Sequence, residues 1–467
     1  MSGNRWFRWA ATGTRTIIGT AVAIAFTALV VTAVSSPWPV VEHPAPRIEA
    51  QPDPADTVAV CAGPALALGR TVVDAQRISV AGSSDVTVGV PAESAAPQQS
   101  TLASPRVDES RGVPSFVAQP EGDDVAVLAA ASSVTVAAPD LSGFAAAGCR
   151  PPLMESWIVG GTTTTGASDI LLLSNPGDVT ASVQLTIYGA QGPQTPPGAD
   201  GIIVPAGTQL ALPLAGVAGR EEQPVVRVTA TGAPVTASLQ SSLVRTLVPG
   251  GLDIQSAVTE ADAVQVLAGV TVTASTPDAA STIMRVLAPS DDAEVTIRAT
   301  AVGDATVVSS TTLPLTAGIP ADAELANLAP GTYVITVEAD APVVSAVWQA
   351  SGFGAGSDYA WYTPSPGLGA DTLIAAPSGP GARLVLVNAG SEPAAIAVRR
   401  VGGAEQEVAV PAGGAADIPI ESDAVYSVDP GGAAGIAAGL TYAGPGALGA
   451  VPVWPADAGA EPVLVYP

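Results

Sequence analysis

The sequence predicts an all-β protein: an N-terminal transmembrane helix, then tandem immunoglobulin- or fibronectin-like β-sandwich modules. Three observations predict it. Short β-branched runs are punctuated along the whole chain by Gly 49 and Pro 43 residues, which suits many strands and tight turns and does not suit long helices. A weak repeat of roughly a hundred residues recurs, a period of domain size. A single long apolar run lies near the N-terminus.

The elements follow in order. Arg5, Arg8 and Arg15 precede an uncharged run from Ile17 to Val34, about the length that spans a bilayer. Residues 1–34 therefore read as a basic cytoplasmic tip and a signal-anchor helix, with the bulk of the chain extracytoplasmic. Cleavage after Ala33 is the alternative, since Val31-Thr32-Ala33 suits signal peptidase; the length of the run favours retention. Residues 35–57 carry six prolines and the only histidine, His43, and read as an extended stalk without a core. Residues 58–150 read as an irregular β segment, with strand-like stretches at 71–80, 85–90 and 124–136. Between these, 91–120 is polar and Pro-rich and reads as a mobile loop. Cys61 and Cys149, the two cysteines, bracket this segment. In an exported chain they point to one disulfide, with two free thiols as the alternative.

Three modules follow, at 151–260, 261–368 and 369–467. In the first, Ile170-Leu-Leu-Leu-Ser-Asn-Pro-Gly leads into the alternating Ser182-Val-Gln-Leu-Thr-Ile-Tyr-Gly, then Val204-Pro-Ala-Gly and Leu212-Pro-Leu. In the last, Leu384-Val-Leu-Val-Asn-Ala-Gly leads to Ala395-Ile-Ala-Val, Val410-Pro-Ala-Gly and Ile418-Pro-Ile. The middle module is more diverged but keeps Leu313-Pro-Leu and Tyr333-Val-Ile-Thr-Val. Val183, Leu185 and Ile187 share one face of a strand, and Asn-Pro-Gly ends the preceding one in a sharp turn.

The string Trp157-Ile-Val-Gly-Gly, followed by Leu173-Ser-Asn-Pro-Gly-Asp behind an N-terminal anchor, resembles actinobacterial membrane-anchored cell-envelope proteins grouped only as a large domain of unknown function. The resemblance implies an envelope location and an all-β ectodomain, and it carries over no catalytic residues, since none are established for the group.

Composition narrows the function. The net charge is −25, and all 17 basic residues are arginine, a balance that repels nucleic acid and anionic headgroups. One histidine outside the folded region leaves no Ser-His-Asp or Cys-His machinery, and no phosphate-loop or metalloprotease motif is present. The carboxylate pairs Asp123-Asp124, Glu221-Glu222 and Asp291-Asp292 sit in turn-like contexts and read as solvated. No cofactor and no metal site is expected. The densest aromatic cluster is Tyr359, Trp361 and Tyr362. It is either a ligand-stacking platform or an intermodule contact, and the second reading is preferred because aromatics are scarce in this chain. The expectation is a membrane-anchored, non-enzymatic structural or interaction protein whose partners are envelope proteins or polysaccharide. A carbohydrate-binding module array is the alternative.

Overall fold

Alternation of buried and exposed residues builds most of this chain into antiparallel strands. The computed structural model describes residues 5–35, 48–50, 54–70, 76–120, 122, 125–274, 281–303, 305–369, 372–455 and 463–465. Two compact units result, one of residues 1–52 with 461–467 and one of residues 53–460.

The first unit holds the helix Arg5–Ser35 and a two-stranded ladder of Ile48–Ala50 with Val463–Val465. Ile17–Ser35 has a mean hydropathy of 2.4 and buries none of its side chains in protein, so it is long and apolar enough to cross a membrane. The hydroxyls of Thr27 and Thr32 donate to the carbonyls of Ala23 and Ala28 at 2.8 Å. Neither hydroxyl therefore needs water. The three arginines expected ahead of the helix lie within its limits. Of the expected stalk, 36–47 (with His43) and 51–53 lie outside the described residues. Ile48–Ala50 is a strand.

The second unit contains three sandwiches of one topology. In the first, one sheet runs Glu155–Val159, Val225–Thr231, Ala181–Gly189, Gly192–Gln194, and the other Thr208–Pro213, Ile170–Asn175, Thr236–Arg245, Val248–Ser256. The third repeats this order: Thr372–Ala376, Ala424–Asp429, Ala394–Arg400, Glu405–Val410 over Gly414–Pro419, Arg383–Asn388, Ile436–Gly444, Ala447–Pro452. In the second sandwich one strand of 20 residues, Gly331–Ala350, serves both sheets and joins them. The last sandwich ends at Pro452, because Val463–Val465 pairs in the other unit.

The repeated Asn turn has one cause in both outer sandwiches. Asn175 Nδ2 donates to the carbonyls of Val179 and Val204, and its Oδ1 accepts from Gly177 N–H. Asn388 Nδ2 donates to Glu392 and Val410, and its Oδ1 accepts from Gly390 N–H. A buried amide thus ties the end of one strand to the Val-Pro-Ala-Gly turn, saturating groups that burial would otherwise strand.

Residues 54–150 form three small sheets closed by the Cys61–Cys149 disulfide, 88 residues apart in sequence. The segment 91–120, expected to be a mobile loop, instead carries the strands Gln98–Leu102, Val107–Asp108 and Val113–Ala118. Leu102, Val113 and Phe116 are buried, and Val113–Ala118 pairs with Thr57–Val60. Val113–Ala118 also pairs with Gln98–Leu102, but its partner Thr57–Val60 lies about sixty residues upstream, and local composition carries no trace of that pairing.

Ile170–Asn175 is buried on both faces. Leu171 and Leu173 enter the first sandwich's own core, while Ile170 and Leu172 pack on Leu66, Ile78 and Val134 of the N-terminal segment. That explains an uninterrupted apolar run where a solvated sheet would alternate. At the same seam Gln240, fully buried, pairs its side-chain amide with both backbone groups of Leu66 at 2.7 Å. Asn388→Ala should leave the Gly390 N–H and the Val410 carbonyl without their partner and cost about 2–3 kcal/mol. Asn175→Ala should cost the same, and chemical denaturation of the two variants checks whether the repeat is energetic as well as visual.

Candidate functional site

The short strand Tyr359–Tyr362 is wholly buried, and its alternation divides the aromatic cluster. Tyr359 and Trp361 project between the first and second sandwiches. There they pack with Trp157, Val159, Tyr188, Val225 and Val258 on one side and Leu287, Val344 and Ala346 on the other. Tyr362 points the opposite way, into the second sandwich's core, where its hydroxyl accepts from Thr271 N–H at 3.2 Å. The structure therefore brings two of the three residues together and separates the third.

Arg285 clamps the same interface. Its Nε and Nη2 bind the Asp322 carboxylate at 2.9 and 3.1 Å, while Nη1 donates to the carbonyls of Gly161 and Pro224 in the first sandwich at 2.7 and 3.3 Å. The guanidinium also lies 5.5 Å from the Trp361 ring centroid. A buried Arg saturated by a fork-shaped pair and two carbonyls is favourable only while every partner stays in place.

Above this contact a cleft of about 280 Å³ opens between the two sandwiches. Tyr359, Trp361, Arg285 and Asp169 form its buried wall; Thr164, Glu222, Gln223 and Arg245 lie exposed around it, with Trp348 half-buried. Asp169 accepts from Thr162 N–H at 2.7 Å and Ser242 N–H at 3.3 Å. Burial pushes its carboxyl up to about 7, against the pull of those donors and of Arg285. The cleft thus offers aromatic faces, hydroxyls, one neutralised cation and a near-neutral carboxyl, a set suited to holding a polar ligand. It contains neither His nor Cys. Among the described residues no group of three His, Cys, Asp or Glu could hold a metal ion.

Directly before Tyr359 lies the residue that positions it. Asp358 is fully buried, and its carboxylate accepts from Phe144 N–H (2.8 Å), Leu252 N–H (3.1 Å) and Leu448 N–H (3.0 Å). These donors belong to the edge strands Ser142–Gly148, Val248–Ser256 and Ala447–Pro452. Asp253, on the second of those strands, accepts from Trp361 N–H at 2.7 Å. Gly143 (φ 151°) and Gly251 (φ 130°) allow the approach: a Cβ at either would lie 2.7 Å from Asp358 Oδ1. Burial drives the Asp253 carboxyl well upward, and the charge of Asp358 adds to this. Burial also pushes Asp358 up to about 8, while the backbone donors pull it down.

Asp169, Asp253, Arg285 and Asp358 were not singled out by the sequence reading. The signal available was an isolated charge inside an apolar strand, as in Gly-Leu-Asp253-Ile-Gln and Asp358-Tyr-Ala-Trp. Of the three carboxylate pairs, Glu221 accepts from Ala190 N–H and Asp292 from Ala317 N–H, both at turns; Asp123-Asp124 falls outside the described residues.

Residues 103–421 match the model of a family of unknown function, DUF5719. The chain belongs to that family. No curated protein and no solved structure matches it. The DUF5719 stretch begins within the N-terminal segment and ends inside the third sandwich, so it takes in the cleft, Arg285 and the buried Asp169, Asp253 and Asp358.

Asp358→Ala should strand three buried N–H donors and cost about 3–5 kcal/mol, read as a lowered denaturation midpoint. The pH response has a definite sign. The folded pKa is raised, so between about pH 4 and about pH 8 the folded state keeps a proton that the unfolded chain has released. Stability held by that proton is complete below about pH 4 and is lost as the pH climbs to about 8. The decline in melting temperature over this window should be shallower in Asp358→Asn, which has no proton to lose.

Proposed function

We propose that this protein is a membrane-anchored, extracytoplasmic structural or interaction protein of the cell envelope, with its N-terminus cytoplasmic and its fused β unit serving as a rigid platform for envelope proteins or polysaccharide. The observation that carries the reading is the use made of the scarce aromatic residues. Trp157, Tyr188, Tyr359 and Trp361 are consumed in joining two sandwiches, whereas a module array built for stacking sugars would leave such rings on the surface. The spanning-length apolar helix and the disulfide favour export, since disulfides persist in oxidising compartments. The arginines at the head of the helix favour retention inside of that end. A strongly acidic surface keeps such a platform soluble and away from nucleic acid. Catalysis forms no part of this reading.

A second reading has one observation in its favour. The cleft keeps Trp348 partly exposed, stacked 6.4 Å from Phe353, whose other neighbour is the Arg245 guanidinium at 4.2 Å. A planar, half-wet aromatic group beside hydroxyls is what a saccharide-binding groove requires.

Trp361→Ala in the buried seam and Trp348→Ala at the half-exposed ring, both in the full-length protein, separate the two. Under the platform reading Trp361→Ala should destabilise the β unit by about 3–5 kcal/mol, and Trp348→Ala should leave any polysaccharide retained in a pull-down unchanged. A little-changed melting temperature with abolished polysaccharide binding in Trp348→Ala would overturn the platform reading in favour of the glycan one.

A further inference from the structure

Arg150 follows the half-cystine Cys149, and its backbone is held by two hydrogen bonds of 2.9 Å to Val60. Its position is therefore rigid. The residue is only 8% exposed, and the guanidinium lies 3.6 Å from the centroid of the Trp454 ring. The other buried arginine among the described residues, Arg285, has a carboxylate partner in Asp322. Arg150 has none, and among the described residues its guanidinium reaches no acceptor. The Trp454 indole nitrogen is buried and likewise without an acceptor.

Both residues border a cavity of about 60 Å³ between the N-terminal segment and the third sandwich. Its other walls are Ala129–Ala131, Leu373–Ala375 and Val451–Val453, which bring no side-chain oxygen. A guanidinium carries five donors and stays charged at neutral pH. Stacking on an indole satisfies its face and leaves the in-plane N–H groups unused. Burying such a charge without a counter-charge is costly, and proteins avoid it by pairing. Here the burial is strong enough to pull the guanidinium down to about 9. The space exceeds that of a single water, and three alanines, Ala129, Ala130 and Ala131, are among the residues that line it.

We propose that this cavity binds a small monocarboxylate of acetate size, its two oxygens taking the Arg150 fork and the Trp454 N–H, its methyl end lying against the alanines. Planar bidentate capture is the pairing for which a guanidinium is shaped. The bound acid would close the seam between the two ends of the β unit, so occupancy should read out as stability.

The test is a melting-temperature titration of the full-length protein in detergent with sodium acetate, with acetamide as the neutral isostere and sodium chloride at matched ionic strength as the charge control. Acetate should raise the melting temperature by about 2 °C or more at saturation, and acetamide and chloride should not. Arg150→Gln should abolish the acetate response. Trp454→Phe, which keeps the stacked ring and loses the N–H, should shift the titration midpoint upward several-fold. No acetate response in the unmodified protein, an equal response to chloride, or a response that survives Arg150→Gln overturns the proposal. Should Arg150→Gln fail to fold, the three-ligand comparison on the unmodified chain decides alone.

Discussion

One buried carboxyl group organises the β unit. An edge strand leaves a row of N–H groups unpaired, and four such edges meet here: one each from the N-terminal segment and the three sandwiches. Burying them together would strand their donors. Asp358 resolves three of them at once, with Phe144, Leu252 and Leu448, and Asp253 takes Trp361. Two acceptor-rich side chains thus do at a four-way junction what a fifth strand would do along a ladder. Their own burial is the reason the carboxyls are pushed so far from the usual range.

From this junction the rest of the packing follows. The strand that follows Asp358 is an edge of the second sandwich that faces the first, so Tyr359 and Trp361 fill that seam and Arg285 locks its rim. The opposite faces of the junction can then close with small side chains. Ala268, Val334, Val385 and Ala437 join the second sandwich to the third, and Ala129, Ala131, Leu373 and Ala375 join the N-terminal segment to the third. An interface of alanines and valines brings backbones close and depends on shape, because no single large residue anchors it. The large aromatic groups are concentrated where two sheets diverge and space must be filled.

The middle sandwich shows how a repeat can diverge without losing its topology. Its outer neighbours use two strands and a turn where it runs one continuous strand, Gly331–Ala350, through both sheets. They tie the first turn with a buried asparagine; here Asp292 accepts from Ala317 N–H and Gly318 N–H donates to the Ala288 carbonyl. The backbone demands are met by other means, so the sequence pattern fades while the sheet order stays.

Much of this was legible in the residues themselves. Apolar length and flanking arginines define the helix, period-two alternation defines strands such as Ala181–Gly189, and two cysteines can form a disulfide within the chain only with each other. Turn chemistry repeated at Asn175 and Asn388 marks equivalent modules. Each of these is a local or pairwise property. What tertiary structure alone decided is how the modules fuse: that 91–120 is drawn into sheets by a distant partner, that Tyr362 faces away from Tyr359 and Trp361 into a different core, and that single acids at 253 and 358 become the junction. Alternation says that a strand has two faces, but which surface each face meets depends on where the other sheets lie. An isolated aspartate reads as a solvated turn until four strand edges, brought together from across the chain, surround it with donors and exclude water.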